Sequence, residues 1–127
     1  MRPSPGTERR HPVAMFAAFI DIDGLKAVND RGDAVIQKVA QALQAVTRPG
    51  DLVVRYGGDE FIVIGLGEAP DPDALRERVI ATVAQPSPIA GWDGTVSVGT
   101  CGSVDGDVAG MIRGADEAMY ARRNRSR

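Results

Sequence analysis

Residues 51–64, DLVVRYGGDEFIVI, decide the architecture. Two apolar runs, LVVRY and FIVIG, flank Gly57-Gly58-Asp59-Glu60, and β-branched and aromatic residues of this kind favour a pleated ladder. A Gly-Gly pair between them predicts a tight hairpin, because both residues tolerate positive φ. The turn of that hairpin carries two adjacent carboxylates, Asp59 and Glu60.

Upstream, residues 13–22 form a near-continuous apolar run ending in acid, which suits a strand buried on both faces that delivers Asp21 and Asp23 at its end. Residues 25–30 read as a short helix broken at Arg31-Gly32, after which Asp33 is expected to N-cap a longer one. In that helix Val35, Val39, Leu43 and Val46 recur at helical spacing, the mark of a core face. Arg48-Pro49-Gly50 ends it. Downstream of the hairpin, residues 68–73 read as a loop, 74–83 as a helix and 95–99 as a half-buried strand of period two. Residues 108–122 read as a last helix with Val108, Met111, Ile112, Ala115, Ala118 and Met119 on one face. The order β-α-α-β-β-α-β-α contains no repeat and predicts one mixed sheet covered by helices.

Composition places limits on function. The 127 residues are one domain's worth: 1–12 are expected to form a flexible arm holding His11 as a solvated residue, and 13–127 the folded domain. A composition of 43% hydrophobic and 25% charged residues excludes a disordered or coiled-coil chain. The 15 Lys+Arg against 17 Asp+Glu leave a net charge of −2, so no whole-molecule field recruits nucleic acid polymer or anionic membrane. Phosphate must be met by a local site. One cysteine, Cys101, and one histidine cannot build a Cys/His zinc site, and Cys101 is expected to act as a small core hydrophobe. Trp92 has no assigned role. Asp21 and Asp23 interrupt the only faint signal-peptide-like run, and no stretch approaches the about 18 apolar residues of a membrane span, so a cytoplasmic location is expected.

The chemistry lies in the acids. If the strand ending in Asp21 and Asp23 neighbours the hairpin, carboxylates converge on one small volume suited to Mg²⁺, which prefers a few carboxylates plus substrate phosphates. The competing reading is that acids at strand ends merely solvate a loop.

Longer sequence agreement bears on that choice. Arg55-Tyr56-Gly57-Gly58-Asp59-Glu60-Phe61 resembles the signature of the GGDEF family, the diguanylate cyclases. Asp21-Ile22-Asp23-Gly24-Leu25-Lys26-Ala27-Val28-Asn29-Asp30 resembles the D-x-D-x-F-K-x-x-N-D segment that precedes it. Thr95-Val-Ser-Val-Gly99 looks like the family's late strand, and Ala115-Asp116-Glu117-Ala118-Met119-Tyr120 like its last helix. The resemblance implies an α/β (α+β), palm-like fold akin to nucleotidyl cyclases and polymerase palms, with a central mixed, largely antiparallel sheet flanked by helices. It implies condensation of two GTP into cyclic di-GMP with loss of two pyrophosphates, at a homodimer interface and with Mg²⁺ or Mn²⁺.

By the same resemblance Asp21, the Ile22 carbonyl and Asp59 would be metal ligands, and Glu60, with Asp59, catalytic. Asn29 and Asp33 would hold the guanine edge, Lys26 and Arg123 the phosphates, and Gly57 and Gly58 would let the backbone approach the nucleotide. Arg48-Pro49-Gly50-Asp51 matches the family's R-x-x-D inhibitory site, where Arg48 and Asp51 would grip the product.

Three departures stand out. The family's opening D-x-L-T-G-L-x-N-R segment has at most Glu8-Arg9-Arg10 as a remnant, the loop before Asp33 is short, and the tail Tyr120-Ala-Arg-Arg-Asn124 allows only one of two phosphate clamps to be assigned. Leu25, in place of the usual aromatic, is a core exchange expected to cost about 1 kcal/mol or less. The departures keep a second function open: a non-catalytic receptor for cyclic di-GMP or GTP.

Overall fold

Strand β1, Met15–Ile22, is the axis of the molecule, and all but its first residue is buried, as its unbroken apolar run requires. The computed structural model describes residues 13–25, 32–103 and 105–125. The expected arm, the end of the short helix and the residues Lys26 and Asn29 lie outside them. After β1 come helix α1 (Gly32–Val46), strands β2 (Leu52–Arg55) and β3 (Glu60–Leu66), helix α2 (Pro72–Val83), strand β4 (Val96–Ser103) and helix α3 (Val108–Arg125). The four strands form one sheet in the order β2-β3-β1-β4, with all three pairings antiparallel.

Alternation along β1 sorts the core into two layers. Phe16, Ala18, Ile20 and Ile22 point to one face, where Val35, Val39 and Leu43 of α1 and Leu75, Val79 and Val83 of α2 cover them. Ala17 and Phe19 point to the other, where Met111, Ala115 and Met119 of α3 close over them and Ile62. Each large side chain buried this way contributes about 1.5–3 kcal/mol, so the two layers fix the helices that flank the end of β1. Asp21 has the parity of Ala17 and Phe19 and therefore emerges on the α3 face.

Helix α3 sits unusually close to the sheet. A Cβ on Gly99 of β4 would collide with the backbone of Ala115 and Met119, and one on Gly114 would collide with Cys101. Cys101 is half-buried in this layer, the packing role expected of it.

Several local expectations are corrected. Helix α1 begins at Gly32, so Asp33 lies inside its first turn rather than capping it, where its carboxylate still complements the N-terminal dipole. Helix α2 begins two residues early: Asp71 is the cap, accepting the Ala74 N–H at 3.1 Å, and Pro72 occupies the first turn, which needs no donor there. Helix α3 continues to Arg125, with Asp107 accepting the Gly110 N–H at 3.0 Å, and strand β4 runs on to Ser103. Val108, expected on the core face, is exposed at the start of α3. Neither Gly57 nor Gly58 has positive φ. The hairpin closes through Tyr56 N–H and Gly57 N–H donating to the Glu60 carbonyl at 2.8 and 3.3 Å, and the connection over residues 56–59 is long enough to be built around a type I turn, which uses no left-handed residue.

Candidate active site

The antiparallel register sets Glu60 of β3 opposite Asp21 on one side and Ser97 of β4 opposite it on the other. The Ile22 N–H donates to the Asp59 carbonyl at 2.9 Å and the Asp23 N–H to the Thr95 carbonyl at 3.1 Å, which locks the hairpin and β4 against the end of β1. One carboxylate oxygen each from Asp21, Asp59 and Glu60 then lie within 4.8 Å of one another. The condition set by the sequence, that the two acidic strand ends be neighbours, is met.

The cluster is electrostatically unbalanced. Asp21 is buried, and burial is the main cause that pushes its carboxyl up to about 6; Arg123 opposes this, while Asp59 and Glu60 add to it. Glu60 is also raised, by burial first and then by the charges of Asp59 and Asp116, with Arg123 again opposing. Arg123, from the last turn of α3, reaches Asp21 Oδ2 and Asp23 Oδ1 at 3.0 Å each and donates to Ser97 Oγ at 3.2 Å. Ser97 Oγ in turn donates to Asp23 Oδ1 at 2.8 Å, and the Trp92 indole donates to the Asp23 carbonyl at 2.7 Å. Asp23 is thus held on three sides. Asp21 Oδ1, by contrast, is buried with no hydrogen-bond partner among the described residues.

An unpaired carboxylate oxygen inside a three-acid cluster is costly without a cation. The donor set is all hard oxygen, and it fits a divalent ion such as Mg²⁺ held by Asp21 and Asp59, with Glu60 beside it. The Ile22 carbonyl stands at the same strand end. Asp21, Asp23 and Asp59 line a cleft of about 740 Å³ together with Arg76, Arg122, Arg123 and Arg125. Gly24, at φ 70°, turns the chain along its rim.

The hairpin backbone is braced by Arg55, whose Nε and Nη2 donate to the carbonyls of Gly57 and Gly58 at 3.2 and 2.9 Å. A Cβ on Gly57 would run into the Glu60 carboxylate, whereas Gly58 faces open space. A side chain at Gly57 would thus displace the Glu60 carboxylate from this position. Asp33 is exposed at the start of α1 and does not line the cleft.

Arg48 and Asp51 lie at the other end of the sheet. Asp51 is half-buried, with its side chain 8% exposed; it accepts the Arg48 N–H at 2.9 Å and pairs with its guanidinium at 3.6 Å. Arg48 also donates to the Leu66 carbonyl at 2.5 Å and stands 5.7 Å from the centre of the Phe16 ring. Beside them is a hollow of about 240 Å³, also lined by Thr47, Glu68 and Arg78.

Trp92, Ser97, Arg76 and Asp116 belong to the site or its surroundings and were not singled out by sequence. The period-two pattern of residues 95–99 puts Ser97 and Gly99 on one face, but only the pairing with β1 sets Ser97 against Asp21.

The family model described as "Diguanylate cyclase, GGDEF domain" matches residues 6–127. The diguanylate cyclase DosC of Escherichia coli K12 is 37% identical over 121 residues, which is 86% of this chain and 26% of DosC. The diguanylate cyclase TpbB of Pseudomonas aeruginosa PAO1 is 33% identical over 134 residues, 94% of this chain and 30% of TpbB. The chain thus spans between a quarter and a third of these relatives. Among solved structures, the isolated GGDEF domain of Pseudomonas aeruginosa TpbB superposes with a TM-score of 0.73 at 30% identity, covering 92% of this chain and 75% of that one. The GGDEF domain of Caulobacter crescentus DgcB in complex with c-di-GMP gives 0.69 at 28% identity, covering 91% and 75%.

Proposed function

Because the chain belongs to the family of GGDEF diguanylate cyclase domains, we propose that it joins two GTP molecules into cyclic di-GMP, with Asp21, Asp59 and Glu60 as its reactive centre. The observation that carries this reading is the buried, unpartnered Asp21 Oδ1 within a cluster of three carboxylates. A domain that only bound nucleotide through its arginines would have no use for that imbalance.

Glu60 is the base. Its raised affinity for a proton suits it to accept the one leaving the ribose 3′-hydroxyl as that oxygen attacks the α-phosphorus of the second GTP. The α–β anhydride bond breaks and pyrophosphate departs; repetition in the opposite sense closes the ring and releases the second pyrophosphate. Each subunit contributes one GTP, so two copies of the domain face each other. Asp21, Asp59 and the Ile22 carbonyl would hold the divalent ion, which would supply neutralisation of phosphate charge. The open space at Gly58 admits the nucleotide to the hairpin backbone, and Gly57 leaves room for the Glu60 carboxylate. Arg123 contacts phosphate from the α3 side; Lys26 is assigned to phosphate, and Asn29 and Asp33 to the guanine edge. Arg48 and Asp51 bind the product as a brake, Arg48 offering an exposed guanidinium that can fork onto guanine.

The test is incubation of concentrated protein with GTP and Mg²⁺, then Mn²⁺, and chromatographic separation of products beside Asp59→Ala. Cyclic di-GMP from the parent alone is expected. GTP left intact by a folded dimer that still binds cyclic di-GMP would overturn catalysis in favour of a receptor.

A further inference from the structure

The arginine wall of the cleft is only partly used by the assignments above. Arg123 is already shared between Asp21 and Asp23, so a triphosphate entering the cleft needs a second cationic contact. Arg76, on α2, is half-buried and donates its Nε to the Val96 carbonyl at 2.8 Å. That bond comes from the first residue of β4 and fixes the plane of the guanidinium at the cleft wall. Among the described residues the two terminal amino groups of Arg76 make no hydrogen bond. Arg122 and Arg125 approach the same wall from the last turn of α3, and Arg122 is ion-paired to Asp73 at the start of α2. Three guanidiniums, those of Arg76, Arg122 and Arg125, therefore act on one exposed carboxylate, Asp73, in the cleft that Asp21 and Asp59 also line.

We propose that Arg76 is a second phosphate-binding residue of this site, receiving the terminal phosphates of a nucleoside triphosphate in the fork of its guanidinium. The proposal rests on the nucleotide reading above. Anchoring through Nε leaves the pair of terminal donors in a fixed plane, so little freedom is lost when a phosphate docks, and a bidentate contact results. With a net charge of −2 the molecule has no general attraction for a polyanion, so a local wall of this kind must supply it.

The test titrates inorganic tripolyphosphate and, separately, GTP into the protein with Mg²⁺ by calorimetry, using the parent, Arg76→Gln and, as a control, Arg113→Gln on the exposed side of α3. Arg76→Gln is expected to weaken both ligands about tenfold while Arg113→Gln weakens neither. Equal weakening by both variants, or none by Arg76→Gln, overturns the proposal and leaves the cyclase reading standing if the parent binds GTP. Tripolyphosphate bound through Arg76 by a parent that does not bind GTP overturns the cyclase reading and leaves the clamp. Failure of the parent to bind either ligand overturns both. If Arg76→Gln melts early through loss of the Val96 bond, Arg76→Lys takes its place: it keeps the charge but not the fork and is expected to bind both ligands about threefold more weakly. Unchanged binding by that variant overturns the proposal.

Discussion

The two ends of the sheet use the same residue types to opposite effect. At one end Arg48 and Asp51 satisfy each other: the carboxylate accepts the Arg48 N–H, the guanidinium lies across Phe16, and the Leu66 carbonyl takes a further donor. At the other end, five residues along β1 from Phe16 to Asp21 and hence about 17 Å away, one arginine serves Asp21 and Asp23 while Asp59 and Glu60 crowd in. A buried oxygen is left over. The contrast teaches that the diagnostic of a reactive site is unbalanced charge under burial, rather than the presence of an Arg–Asp pair. A balanced pair holds a corner together; an unbalanced cluster is ready for a cation and a phosphate.

The largest effect expected from disturbing either end is kinetic. Glu60→Gln should lower turnover of GTP at least about a hundredfold, the usual cost of removing a positioned base, while the fold and the melting temperature stay near those of the parent. A steady-state assay at saturating Mg²⁺ checks this, and near-parental turnover would move the base elsewhere.

The next effect concerns stability. Asp21 binds its proton more tightly in the folded state, at about 6, than in the unfolded chain near 3.8. Between those values the native state holds more protons than the unfolded one, so in metal-free protein the contribution of this group to stability falls as pH rises from about 4 to 6. Asp21→Asn should accordingly raise the metal-free melting temperature at pH 7 by a few degrees and flatten its pH dependence across that window. Mg²⁺ should raise the parent's melting temperature and leave that of the variant nearly unchanged. A variant less stable than the metal-free parent at pH 7 would show that the cluster is not frustrated.

The smallest effects belong to the balanced corner. Asp51→Ala should cost about 1 kcal/mol, because it leaves the Arg48 N–H without its side-chain acceptor. Arg48→Ala should change stability by about 0.5 kcal/mol or less, since its guanidinium is 62% exposed. Both should relieve inhibition by added cyclic di-GMP. Urea melts and inhibition curves measured together would break the comparison if Arg48→Ala proved the more destabilising of the two.

Much of this was legible in the residue order. The unbroken apolar run before Asp21 marks a strand buried on both faces, and the Gly57-Gly58-Asp59-Glu60 turn marks a hairpin carrying acid. Both follow from local pattern, as do the core faces of α1 and α3. Helix starts were less legible, because Asp71-Pro72 and Gly32-Asp33 carry similar cap signals and only the backbone decides which residue is inside.

The sequence by itself determined the element types, the two acidic strand ends and the family to which the chain belongs, since these rest on periodicity and short motifs within one stretch of chain. The tertiary structure alone decided which residues meet. Antiparallel register brought Glu60 and Ser97 to either side of Asp21, Gly99 and Gly114 let α3 lie close enough for Arg123 to reach two acids, and α2 brought Arg76 to the same cleft. Ser97, Trp92 and Arg76 are ordinary residues in sequence. Their meaning comes from strand pairing and helix packing across 20 to 74 positions of chain, and from a burial that raises Asp21, which no local pattern encodes.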